Sequence, residues 1–226
     1  MQAFCDFDGT IAKEDVTDLV LERFARPQWR EIERDWVEAK ITSTECMQRQ
    51  IALIRTTPHD LDAFLDEIEI DSGFVPFKRF CDANNLRLTV VSDGVDYFIR
   101  RILINHGMSG IDVRANTLIR EHRSGETRFS LLFPFARSHC KTGSGVCKCA
   151  VLAGVEDHVF VGDGRSDFCA AHAATVVFAK EALARHCEQN HIPFIPYNGF
   201  ADVLPVVEAL IKRRAPQHLL PMPQSA

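Results

Sequence analysis

Three short apolar runs in this chain each end in a polar turn built around glycine, and each turn leads into helix-forming sequence. Phe4-Cys5 runs into Asp6-Phe7-Asp8-Gly9-Thr10, and the β-branched stretch Leu86–Val91 stops at Ser92-Asp93-Gly94. Val159–Val161 gives way to Gly162-Asp163-Gly164-Arg165-Ser166-Asp167. Parallel strands need long crossovers, and helices in those crossovers cover both faces of a sheet. The alternation therefore predicts a three-layer α/β domain with a mostly parallel sheet. Ligands in such sheets bind outside the carboxyl ends of the strands, so the three polar turns are expected to meet at one crevice.

Asp6 and Asp8 stand two residues apart, and on extended backbone that spacing points both to the same side. Paired carboxylates repel unless a positive group lies between them. Asp163 and Asp167 raise the number of acids at the expected crevice to four, against Lys148 on the helix predicted over about Val146–Gly154. Such a cluster needs a cation to stay ionised near neutrality. An all-oxygen donor set selects a hard ion, Mg²⁺, which would in turn hold a phosphate oxygen. Ser92 is open to a second reading as the cap of a helix from Val95, and Lys141 is a rival to Lys148.

In order and type, these residues resemble the four motifs of the haloacid-dehalogenase-like (HAD) phosphatases, and the resemblance spans most of the chain. It implies a Rossmann-like HAD core interrupted by an inserted helical cap. It implies further that Asp6 is the nucleophile, forming an aspartyl-phosphate, and that Asp8 serves as general acid and then base. Ser92, Asp93 and Gly94, with Lys148, would hold the phosphoryl oxygens. Asp6, the Asp8 backbone carbonyl, Asp163 and Asp167 would serve Mg²⁺. The insertion and a small hairpin before the lysine resemble the phosphoserine-phosphatase-like branch. Within that branch, Cys147-Lys148 and the stretch Phe178-Ala179-Lys180 through Cys187-Glu188-Gln189-Asn190, ending near Pro196-Tyr197, are similar to the methionine-salvage group. Those enzymes act on 2-hydroxy-3-keto-5-methylthiopentenyl-1-phosphate. Ser92-Asp93-Gly94 stands where Ser-Gly-Gly is frequent, which leaves the substrate open. Phosphoserine is the alternative, with Glu14 or Asp15 for its ammonium and Arg49 or Arg55 for its carboxylate. A phosphotransferase using the same nucleophile, or a binding protein on this fold, also remains open.

Along the chain, residues 1–12 and 74–213 are expected to form the core, with a β-hairpin excursion over about 111–135. Residues 13–73 read as the helical cap, its aromatic residues forming an internal core, with Ser43 or Thr44 capping one helix and Gly73 a hinge. Residues 214–226, with three prolines, are expected to fray. A net charge of −5 argues against a nucleic-acid partner, and the resemblance implies a small phosphorylated metabolite instead. No stretch approaches the roughly 18 apolar residues of a membrane span, and no basic leader precedes an apolar run. A cytoplasmic chain with reduced thiols follows, despite eight cysteines. Cys140, Cys147 and Cys149 lack the paired C-x2-C arms of common zinc sites and read as structural or incidental. Nothing in the sequence sets the oligomeric state.

Overall fold

The computed structural model describes residues 1–123, 126–138, 140 and 143–214. Its seven strands are β1 (Gln2–Cys5), β2 (Arg87–Val95), β3 (Asp112–Arg123), β4 (Glu126–Leu132), β5 (His158–Gly162), β6 (Val176–Ala179) and β7 (Ile195–Pro196). They form one sheet in the order β4-β3-β2-β1-β5-β6-β7, parallel throughout except for the β3–β4 pair.

Strand periodicity explains why both faces are covered. Ala3 and Cys5 of β1, Val159 and Val161 of β5 and Phe178 of β6 belong to one buried cluster. Phe4, Phe160 and Val177, the alternate positions, belong to the other. The first cluster is closed by α5 (Phe74–Ala83), α6 (Asp96–Asn105) and α10 (Phe200–Arg214), the second by α7 (Lys148–Leu152), α8 (Phe168–Ala171) and α9 (Glu181–Gln189). The result is a three-layer α/β fold. β1 lies between β2 and β5, so the strand order reverses at its carboxyl end, where the crevice of such a sheet opens.

Between β1 and α5 stand α1 (Val16–Phe24), α2 (Trp29–Val37), α3 (Ser43–Ile51) and α4 (Pro58–Asp66). Their apolar stripes do not make a separate core: Val20, Leu21, Ile51, Leu61 and Leu65 join the cluster of Cys5, Phe7 and Val90. Asp66 receives Arg101 Nε of α6 at 2.6 Å and Asp62 receives the Tyr97 hydroxyl. An antiparallel bridge between Ala12 and Ile70 closes the base of the insertion.

Several details differ from the sequence expectations. α3 is capped by Thr42 in a capping box with Glu45, not by Ser43 or Thr44; Ser43 is spent instead on Asp93, with Oγ donating to Oδ2 at 3.1 Å. Asp112–Asn116 of β3 lie parallel to β2, so the hairpin is the outer half of a sheet strand rather than an excursion from the core. The Ser124-Gly125 tip is outside the described residues. α7 starts two residues later than expected because Val146 is extended, bridging Phe135 and donating its N–H to Asp93. Gly73 has ordinary helical dihedrals (φ −80°, ψ −14°). A side chain there would meet the Ala201 nitrogen at 2.5 Å, so close approach, not backbone freedom, accounts for the glycine. Residues 215–226 are outside the described residues.

Candidate active site

The β1 ladder continues one residue past the strand, where the Asp6 N–H donates to the Val161 carbonyl at 2.9 Å. That register carries the Asp6 side chain to the face on which α7 packs. Asp6 Oδ1 accepts from the Phe7 N–H at 2.7 Å and pairs with Lys148 Nζ at 2.7 Å. Lys148, the first residue of α7, is wholly buried and also meets Asp167 Oδ1 at 2.5 Å and Ser166 Oγ at 3.0 Å. The other Asp167 oxygen receives the N–H groups of Asp163 and Gly164, each at 3.0 Å, which folds the loop after β5 around it. Asp163 Oδ1 accepts the Thr10 hydroxyl at 2.7 Å. Carboxylate oxygens of Asp6, Asp163 and Asp167 all lie within 4.8 Å of one another. The rival Lys141 is outside the described residues.

One buried ammonium does not balance three carboxylates. Burial, then the Asp167 charge, pushes Asp6 well above the usual carboxylate range, with Lys148 opposing. Burial and Asp167 likewise push Asp163 up to about 6. Burial works against the charge on Lys148, but Asp167 and Asp6 outweigh it and hold the amine protonated. The site is short of positive charge.

Asp8 faces the same crevice from the other side of Gly9. Its Oδ1 accepts the Val16 N–H at 2.9 Å, and its Oδ2 receives the Ser92 hydroxyl at 3.3 Å. Burial, then the charge of Asp15, raises Asp8 well above an ordinary aspartate. Gly9 has φ +68°, and a Cβ there would meet Asp163 Oδ2 at 2.5 Å; one on Gly94 would meet Asp8 Oδ2 at 2.5 Å. Both glycines let carboxylates crowd against backbone. Ser92 caps no helix: its Oγ accepts the Gly94 N–H at 2.9 Å, and α6 starts without a side-chain cap. The Asp93 carboxylate is engaged by the Val146 N–H at 3.0 Å, by Ser43 and by Asn116.

Asp6, Asp8, Ser92, Asp93 and Asp163 floor a cavity of about 870 Å³ roofed by α1, α2 and α3. Of the residues expected to recognise an amino-acid substrate, Asp15 lines it but also caps α1 by accepting the Asp18 N–H at 3.0 Å. Glu14 is exposed and does not line the cavity. Arg49 and Arg55 are exposed as well, and Arg55 donates to the carbonyls of Ala52 and Ile54. Sequence reading missed the wall itself. Trp36 belongs to it, not to an internal cap core, and the Arg165 guanidinium lies 5.4 Å from its ring centre. Asp18 and Glu33 add an acidic patch, and burial with the Asp15 charge pushes Asp18 up to about 7.

A crevice at the switch point of a parallel sheet, holding two aspartates after β1, a serine after β2, a buried lysine and an aspartate loop after β5, defines a phosphoryl-handling hydrolase. Residues 3–172 match the model of the haloacid dehalogenase-like hydrolases. The chain belongs to that family and is a phosphatase. It is similar to the 2-hydroxy-3-keto-5-methylthiopentenyl-1-phosphate phosphatase of Bacillus cereus (strain B4264), with 31% identity over 95% of this chain and 99% of the relative. The protein of the same name from Bacillus thuringiensis subsp. konkukian (strain 97-27) is 30% identical over 94% and 98%. Among solved structures, a substrate-bound phosphoserine phosphatase complex superposes with a TM-score of 0.66 at 18% identity, covering 91% of this chain and 97% of that one. No helix among the described residues is long and apolar enough to cross a membrane.

Proposed function

We propose that the chain hydrolyses a small phosphomonoester through an aspartyl-phosphate on Asp6, with Mg²⁺ as cofactor, and that the substrate is 2-hydroxy-3-keto-5-methylthiopentenyl-1-phosphate. The observation that carries the chemistry is the fixing of Asp6 by Lys148. The ammonium and the Phe7 N–H both fall on Oδ1, which leaves Oδ2 as the attacking oxygen. Attack on phosphorus breaks the bond to the ester oxygen, and Asp8, whose proton affinity burial raises, would donate to that departing oxygen. The carboxylate so formed then takes a proton from the water that cleaves the aspartyl-phosphate. Lys148, held against Asp6, would offset charge growing on the phosphoryl oxygens, and Ser92 would add a neutral donor.

The donor set fits a hard divalent ion: it is all carboxylate, clustered, and undercompensated by Lys148. Asp6 and Asp163, with the Asp8 carbonyl, would hold Mg²⁺, and Asp167 would support it directly or through water while anchoring Lys148. When bound, the ion would neutralise charge on the phosphoryl group.

Substrate choice rests on the roof. Trp36, Ile41 and Met47 line it, which suits a thioether-bearing carbon chain, and the arginines expected to clamp an amino-acid carboxylate lie outside the cavity. The similarity to two methylthiopentenyl-phosphate phosphatases over nearly the whole chain points the same way. Comparing kcat/KM for the methylthiopentenyl enol-phosphate and for phosphoserine tests this. A preference of about 100-fold or more for the enol-phosphate is expected, and a preference for phosphoserine would reject the assignment.

A further inference from the structure

The cavity holds a guanidinium that the reaction described above does not use. Lys40 and Arg165 are the basic residues among those that line it. Lys40 is spent on Asp35 at 3.3 Å and Glu38 at 2.6 Å. Arg165 stacks on Trp36, and among the described residues no carboxylate or carbonyl takes its N–H groups. Its five donors are therefore available to a ligand in the cavity.

The backbone beneath this side chain is fixed from both sides. The Gly164 N–H donates to Asp167 at 3.0 Å, and Ser166 Oγ accepts from Lys148 Nζ at 3.0 Å. Arg165–Asp167 form a single 3-10 turn between those anchors. Only the side chain keeps its freedom, and the half-buried Trp36 of α2 restricts that. A guanidinium already held against an indole gives up less entropy when it takes a ligand. The contact runs from the loop that carries Asp163 on the floor to a helix of the roof.

We propose that Arg165 is a specificity-determining residue that reads a pair of neighbouring oxygens on the substrate, beyond the phosphoester. The inference rests on the enol-phosphate reading above. In that substrate a hydroxyl and a carbonyl stand on adjacent carbons, and conjugation with the enol double bond keeps both oxygens near one plane. Two coplanar acceptors side by side match the guanidinium fork, which donates one N–H to each. Trp36 holds the fork in place, while Ile41 and Met47 take the thioether end of the chain. Asp15, Asp18 and Glu33 line the same cavity but accept rather than donate when ionised.

The test uses the full chain with Mg²⁺, as wild type, Arg165→Gln, Arg165→Lys and Trp36→Leu. Each is assayed on the methylthiopentenyl enol-phosphate, on phosphoserine and on para-nitrophenyl phosphate, which lacks the paired oxygens. In Arg165→Gln the ratio of kcat/KM for the enol-phosphate to that for the aryl phosphate should fall by about 100-fold, mostly through KM. Arg165→Lys keeps the charge without the fork and should recover no more than about a tenth of that loss. Trp36→Leu, which frees the guanidinium, should lower the ratio by about 10-fold. Arg165 is exposed, so its variants should melt within about 2 °C of the wild type. A wild type that does not prefer the enol-phosphate to both other esters would reject the substrate reading and this inference with it. A wild-type preference that survives in Arg165→Gln, or an equal fall on the aryl phosphate, would overturn the inference alone. So would full recovery in Arg165→Lys, which would make the residue a point charge.

Discussion

The buried lysine decides how the site is charged. Removing Lys148 leaves Asp6 and Asp167 facing each other without a counterion, and breaking a buried pair in this way costs about 3–5 kcal/mol. Lys148→Met is therefore expected to lower stability by that amount and kcat by at least about 100-fold, measured by denaturant unfolding and steady-state kinetics. Asp8 gives a prediction with a sign. Burial raises its proton affinity and the Asp15 charge adds to this, so the protonated acid survives above the usual carboxylate range and is lost as pH rises through the raised value. Asp15→Asn keeps the helix cap but removes the like charge. The alkaline limb of kcat/KM should move to lower pH in Asp15→Asn; an unmoved limb would show that another group sets it. At this scale the sequence showed the residues that gather at the crevice because motif chemistry is local. It did not show that the Asp93 carboxylate is taken by Val146, Ser43 and Asn116, since those partners lie 53, 50 and 23 positions away.

Elements were legible where helical spacing ran unbroken, as in α9 over Glu181–Gln189, which starts without a side-chain cap. They were blurred where tertiary bonds override propensity. Val146 has a helical neighbourhood, yet its N–H is claimed by Asp93 and α7 shrinks to five residues. Asp93 thus joins β2, β3, α3 and the α7 approach. Asp93→Ala strands the Val146 N–H and the Ser43 hydroxyl, while the Asn116 amide keeps the Asp93 backbone carbonyl, and a loss of about 1–3 kcal/mol follows. Because Ser43 leads α3 into the cavity roof, KM should rise more than kcat falls; the reverse would place Asp93 in the chemistry instead. Thr42→Ala, which removes a cap without touching the floor, should cost about 1 kcal/mol and leave kcat unchanged.

For the molecule as a whole, the pattern of strands and polar turns fixed the layer order, because each strand's two faces bury in different clusters. What it did not reveal is that the inserted helices share the main core, a fact of packing between segments far apart in the chain. Mg²⁺ bound by a site short of positive charge should stabilise the folded chain, by about 2.7 kcal/mol at a hundredfold excess over Kd, and chelator should remove both that gain and the turnover. The whole reading turns on Asp6 as nucleophile. Acid-quenching the wild type during turnover of the methylthiopentenyl enol-phosphate with Mg²⁺, then mapping peptides by mass spectrometry, should find one phosphoryl group on the peptide carrying Asp6 and none in Asp6→Asn. Steady phosphate release from Asp6→Asn at the wild-type rate, with no labelled peptide in either protein, would contradict it.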